Sequence, residues 1–137
     1  MKEKEIRVLM VEPQQKPKVV TLANNLDSLQ KAVSIGADYQ GLIEIFNLDD
    51  KTCVVCNEEG KLIGLEPNRR LGSDILCGVF YVAGDDGRGN LVSLTQEQQE
   101  QYFRMFERFD RIRKDEVLNA IFVSVTASEE DEPWFTK

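Results

Sequence analysis

Cys53 and Cys56 stand three residues apart in TCVVCN, the spacing on which many zinc sites and dithiol redox centres are built. A structural zinc site asks for a full tetrahedral shell of thiolates and imidazoles. This chain has no histidine, and Cys77 is its one other cysteine. A redox pair belongs at a helix N-terminus, where the dipole lowers a thiol pKa. Here both cysteines lie in a β-branched run, and residues three apart in a strand point to opposite faces. The expected role is packing, with no metal and no cofactor. The absence of histidine also removes Ser-His-Asp and Cys-His catalysis. Glu58 and Glu59 are neighbours in a turn, and nothing in the sequence places a second group to shift their pKa values. No catalytic residue is assigned, and a non-enzymatic protein is expected.

The polar residues around the cysteines are better candidates for binding. Asn57, Glu58 and Glu59 form one turn with Gly60, which is expected to supply a positive φ. Asn68, Arg69 and Arg70 follow Pro67 in a loop, and arginine forks suit carboxylate or phosphate groups. These six residues are the candidate ligand- or partner-binding surface, against the plainer reading of a surface turn with internally paired arginines. The loop Gly84 to Asn90 lacks both the lysine ending of a phosphate-binding loop and the ligand pattern of an EF-hand.

The elements that must position these residues read as follows. Glu5 to Val11 and Lys18 to Leu22 are strands, separated by a loop punctuated by Pro13 and Pro17. Asn25 or Asp27 caps a short helix over about Leu26 to Ser34. Leu42 to Phe46 and Thr52 to Cys56 form a hairpin, and Leu62 to Leu65 returns as a short strand. Ile75 to Val82 is the most apolar run and reads as one central strand buried on both faces. A long helix begins after Ser93 or Thr95, each with a glutamine at capping-box spacing. Its apolar face recurs through Tyr102, Met105, Phe106, Phe109 and Ile112. The fold class is α+β, a mixed, mostly antiparallel sheet covered by one long and one short helix. Residues 1–127 make a single domain, in which Val117 to Val125 fits either a strand or a helix. Residues 128–137 read as a flexible acidic tail, with Pro133, Trp134 and Phe135 as a candidate interaction motif.

With 137 residues and 42% apolar content, the chain can bury a core without staples. Lys and Arg number 17 against 24 Asp and Glu, a net charge of -7 that disfavours direct nucleic-acid binding. The N-terminal segment lacks the apolar core of a secretory signal, and no apolar run approaches a membrane span. A cytoplasmic location with no membrane contact is expected.

Three segments, beginning RVLMVEPQQKPKVV, VVCNEEGKLIGLEPNRRL and DILCGVFYVAGDDGRGN, resemble in this order the family called domain of unknown function 3846. The resemblance runs from about Ile6 to Phe109 and is densest over Cys56 to Lys61 with Pro67 to Arg69. It implies a small accessory protein of phages, conjugative elements and Firmicutes genomes, with no catalytic residue to carry over. The expected function is binding of a host- or element-encoded protein, anti-defence being one version. The alternative is a small-molecule or nucleotide site made by the Asn57–Gly60 turn and the Asn68–Arg70 loop. A homodimer is compatible with either.

Overall fold

The computed structural model describes residues 3–121, so the acidic tail with Pro133, Trp134 and Phe135 lies outside the described residues. Strand β1 (Glu5–Val11) pairs antiparallel with β2 (Lys18–Ala23), in register Val8 to Val20. Helix α1 (Leu26–Ala32) follows, with Asn25 as N-cap accepting from the Ser28 N–H at 2.8 Å. The hairpin β3 (Ile43–Asp49) and β4 (Thr52–Asn57) comes next, with a bulge between Asn47 and Asp49. A second hairpin, β5 (Pro67–Leu71) and β6 (Asp74–Cys77), forms its own small sheet. Strand β7 (Phe80–Asp85) and the short β8 (Leu91–Val92) precede helix α2 (Gln96–Phe106). Residues 114–121 are also helical (α3).

The main sheet runs β2-β1-β7-β4-β3, with β8 on β7, and its strand pairings are antiparallel. The segment through α1 therefore carries the chain from one sheet edge to the other. The two-residue period of the strands divides the core between the sheet's faces. Ile6, Val8, Cys53, Val55 and Tyr81 pack with Leu29 and Val33 on the α1 side. Leu9, Val11, Val54, Cys56, Phe80 and Val82 pack with Tyr102 and Phe106 on the α2 side. The two cysteines do lie on opposite faces. The fold is α+β and mostly antiparallel, as the pattern indicates.

Several elements depart from the sequence reading. Ile75 to Val82 is not one strand: Gly78, at φ 82°, breaks it into β6 and β7, which belong to different sheets. The break is held by a 2.7 Å bond from the Gly78 N–H to the Glu66 carbonyl. Leu62 to Leu65 is a series of turns rather than a strand, because Ile63 and Leu65 donate back to Glu59 and Gly60. The expected Asn68–Arg70 loop is part of β5. Gly60 does not adopt positive φ; it is required by space, since a Cβ there would stand 2.6 Å from the Cys77 carbonyl oxygen.

Of the two capping boxes the sequence offers, Thr95 with Gln98 forms, both reciprocal bonds being present. Helix α2 stops at Phe106, short of the apolar period through Phe109 and Ile112. Ile112 instead packs with Val117 and Ala120 near the buried Leu65, Ile75 and Cys77. The segment left open between strand and helix is helical as far as 121, the last described residue.

Gly78→Ala forces a left-handed backbone onto a residue with a Cβ, which would also lie 2.6 Å from Leu65 Cδ1. Urea unfolding is expected to show a loss of about 2 kcal/mol; an unchanged midpoint would remove Gly78 as the device that separates the two sheets.

Candidate functional site

The residues chosen from sequence separate into two groups. Asn57, Asn68 and Arg69 are buried, whereas Glu58 and Arg70 are exposed and Glu59 is half-buried. Asn57 donates to the Val33 carbonyl at 3.3 Å and accepts from the Glu59 N–H at 2.9 Å, so its amide closes the turn onto the end of α1. Glu58 shares with Lys61 and Asp74 the rim of a cleft of only about 40 Å³.

Asn68 and Arg69 lie at the junction of both sheets with α2. Asn68 donates to the Val11 and Gly78 carbonyls at 2.8 and 2.9 Å, and its side-chain oxygen accepts from Arg69 Nη1 at 2.7 Å. Arg69 is 1% exposed. Its Nε and Nη2 donate to the Phe106 carbonyl at 3.1 and 2.9 Å, Nη2 also reaches Gln15 O at 2.5 Å, and Nη1 reaches Glu12 O at 3.4 Å. The Phe109 ring lies 5.6 Å from the guanidinium carbon. Desolvation lowers the Arg69 pKa and nearby Asp110 opposes this; a guanidinium stays charged in any case. Every N–H of the fork has an oxygen partner inside the protein, so none is left to meet a ligand.

Arg70, on the opposite face of β5, pairs with Glu116 at 2.7 Å, and its backbone N–H donates to Asp110 at 2.8 Å. The candidate residues thus do not converge on one cavity. Asn57, Asn68 and Arg69 are internal fasteners, and the paired-arginine reading describes Arg70.

The cysteines are equally internal. Burial pushes the thiols of Cys53, Cys56 and Cys77 up to about 11, 12 and 11. No group of three or more histidine, cysteine, aspartate or glutamate side chains among the described residues is placed to hold a metal ion. Among the same residues no helix is long and apolar enough to cross a membrane.

What the sequence reading missed is the outer edge of β3. Glu58 N–H donates to Leu42 O at 3.0 Å, which continues the Glu44–Cys56 and Phe46–Val54 register. Peptide groups alternate sides along a strand, so those of Leu42, Glu44 and Phe46 face β4. Those of Ile43, Ile45 and Asn47 face outward, and β3 has no second neighbour among the described residues. Beside this edge, on the α2 face, runs a groove of about 590 Å³. Phe46 and Leu48 of β3, Leu71 at the tip of the second hairpin and Met105 of α2 form its apolar walls, with Glu44 and Asp74 at its rim. Ile45 is 46% exposed on the other face, and Met105 is 50% exposed. The alternating IEIFNLD pattern was the available signal, but edge position is set by strand order, which a local pattern does not carry.

These features define an α+β protein with a pinned double-sheet core and a main sheet whose edge strands are β2 and β3, the Phe46–Met105 groove lying beside β3. The chain belongs to the family described as Domain of unknown function (DUF3846), which matches residues 6–107. The match begins in β1 and ends one residue past the carbonyl that Arg69 holds. No curated protein and no solved structure matches the chain.

Two outcomes test this description. Arg69→Met leaves the buried Phe106 carbonyl and the more open Gln15 and Glu12 carbonyls without their donor, and is expected to lower unfolding stability by about 3 kcal/mol in denaturant titrations. A loss below about 1 kcal/mol would mean that water replaces the fork at little cost. The thiols titrate near 9.0 when unfolded and at about 11 to 12 when folded. Their burial therefore stabilises fully below pH 9, and stability falls as pH rises from there through about 12. At pH 8 a thiol reagent should react only as fast as the protein unfolds; prompt modification would contradict the buried assignment.

Proposed function

We propose that this protein is a non-catalytic binding module that captures an extended segment of another protein along β3. The observation that carries this reading is the outward row of peptide groups at Ile43, Ile45 and Asn47 beside the Phe46–Leu48–Leu71–Met105 groove. An unpaired strand edge offers main-chain donors and acceptors to any extended chain, and an adjoining pocket selects side chains. The commitment of Asn57, Asn68 and Arg69 to internal carbonyls also favours it over a small-molecule or nucleotide site. Such a module suits an accessory protein that acts by occupying a partner encoded by the host or by the same genetic element. Anti-defence is one version of that role.

A photo-crosslinking amino acid at Asn47, tested in the cell that makes the protein, is expected to join the chain to a second, different polypeptide. The same group at Arg88, on the glycine-rich tip, should not. Ile45→Pro should abolish the Asn47 adduct, because it removes an outward N–H while leaving the β3–β4 ladder bonds intact. Adducts from Arg88 alone, or an Asn47 adduct that survives Ile45→Pro, would refute binding at this edge.

A further inference from the structure

The groove also constrains the chemistry of the captured segment. We infer that it is a short basic-apolar strand carrying a lysine or arginine and a large apolar residue two positions apart; this rests on the edge-binding reading above. Side chains of an added strand alternate between faces. Residues set opposite Glu44 and Phe46 therefore project to the α2 side, into the groove, and those opposite Ile43 and Ile45 lie on the other face. Phe46, Leu48, Leu71 and Met105 give the groove an apolar wall that a leucine, phenylalanine or similar side chain would fill.

The charge at the rim has one sign. Glu44 and Asp74 line the groove and no cation does. Asp74 is already held by Lys61 at 2.5 Å, whereas Glu44 has no ion-pair partner among the described residues. Its neighbour Cys56 stays a neutral thiol, with a pKa raised to about 12 by burial and then by Glu44. A cation placed across from Glu44 thus meets an uncompensated carboxylate, with a net charge of -7 on the whole chain to steer its approach. An acidic segment would meet the same field as repulsion. So would a second copy of β3, which brings its own Glu44 and Asp49 to the same edge.

The bulge between Asn47 and Asp49 limits the length of this contact. Beyond Asn47 the edge turns away from regular register, so the added strand spans about five residues, the size of an ordinary strand.

The test is selection of a random peptide display library on the full-length protein at low salt, followed by titration of the selected peptides. Enriched peptides are expected to share a cation and a large apolar residue two apart. Glu44→Lys should weaken them roughly tenfold at low salt and less at high salt. Met105→Glu, a change at a half-exposed helix position, should abolish binding, as should Ile45→Pro, with circular dichroism checking that each variant is folded. Peptides without the basic-apolar pair, or insensitive to Glu44→Lys, would overturn the inferred chemistry while leaving edge binding in place. No enrichment, or binding unaffected by both Ile45→Pro and Met105→Glu, would overturn docking at this edge; the Asn47 adduct then decides separately whether a partner protein is engaged at all. Sedimentation showing a dimer that Ile45→Pro dissolves would assign the edge to a second copy and overturn the inference.

Discussion

Arg69 is a buried cation with no carboxylate at ion-pair distance among the described residues, and the assembly of the layers depends on how its charge is met. Taking a charge out of water is costly unless each hydrogen-bonding group finds a partner. Here the partners are carbonyls. The Phe106 oxygen is among the last of α2, where a helix leaves acceptors unsatisfied and carries partial negative charge. Glu12 and Gln15 belong to the loop between β1 and β2, and Asn68 links the same fork to Val11 and Gly78. Two adjacent side chains on the small sheet thereby fix the end of a helix, a loop of the large sheet and the break between β6 and β7.

This arrangement also shapes the open edge. With α2 ended at Phe106 and the β5–β6 hairpin pinned beneath it, Met105 and Leu71 stand across from Phe46 and Leu48 with a gap between them. The groove is the space left where α2 and the β5–β6 hairpin meet an edge strand whose outer side no described residue covers. The buried asparagines and the arginine tie the layers together, while the β3 edge leaves main chain and a few apolar side chains exposed. The chain has no histidine, and burial holds its three thiols neutral near pH 7.

Local patterns in the sequence determined much of the frame. The β-branched runs of β1, β2 and β4, a cap at Asn25 or Asp27, a capping box at Ser93 or Thr95 and the opposed faces of Cys53 and Cys56 follow from side-chain periods and capping chemistry, which act over a few residues. The family resemblance likewise lies in contiguous segments. Tertiary structure alone decided that Ile75 to Val82 would divide at Gly78, because the break is fixed by bonds to Glu66 and Asn68, ten or more residues earlier in the chain. It decided how α2 ends at Phe106, because the side chain that donates to the Phe106 carbonyl comes from position 69. It made Asn68 and Arg69 fasteners rather than ligand-binding groups, since a fork reads the same in sequence whether its oxygens belong to a ligand or to the protein. And it placed β3 at the sheet edge, because strand order depends on contacts between segments far apart in the chain, which no local period encodes.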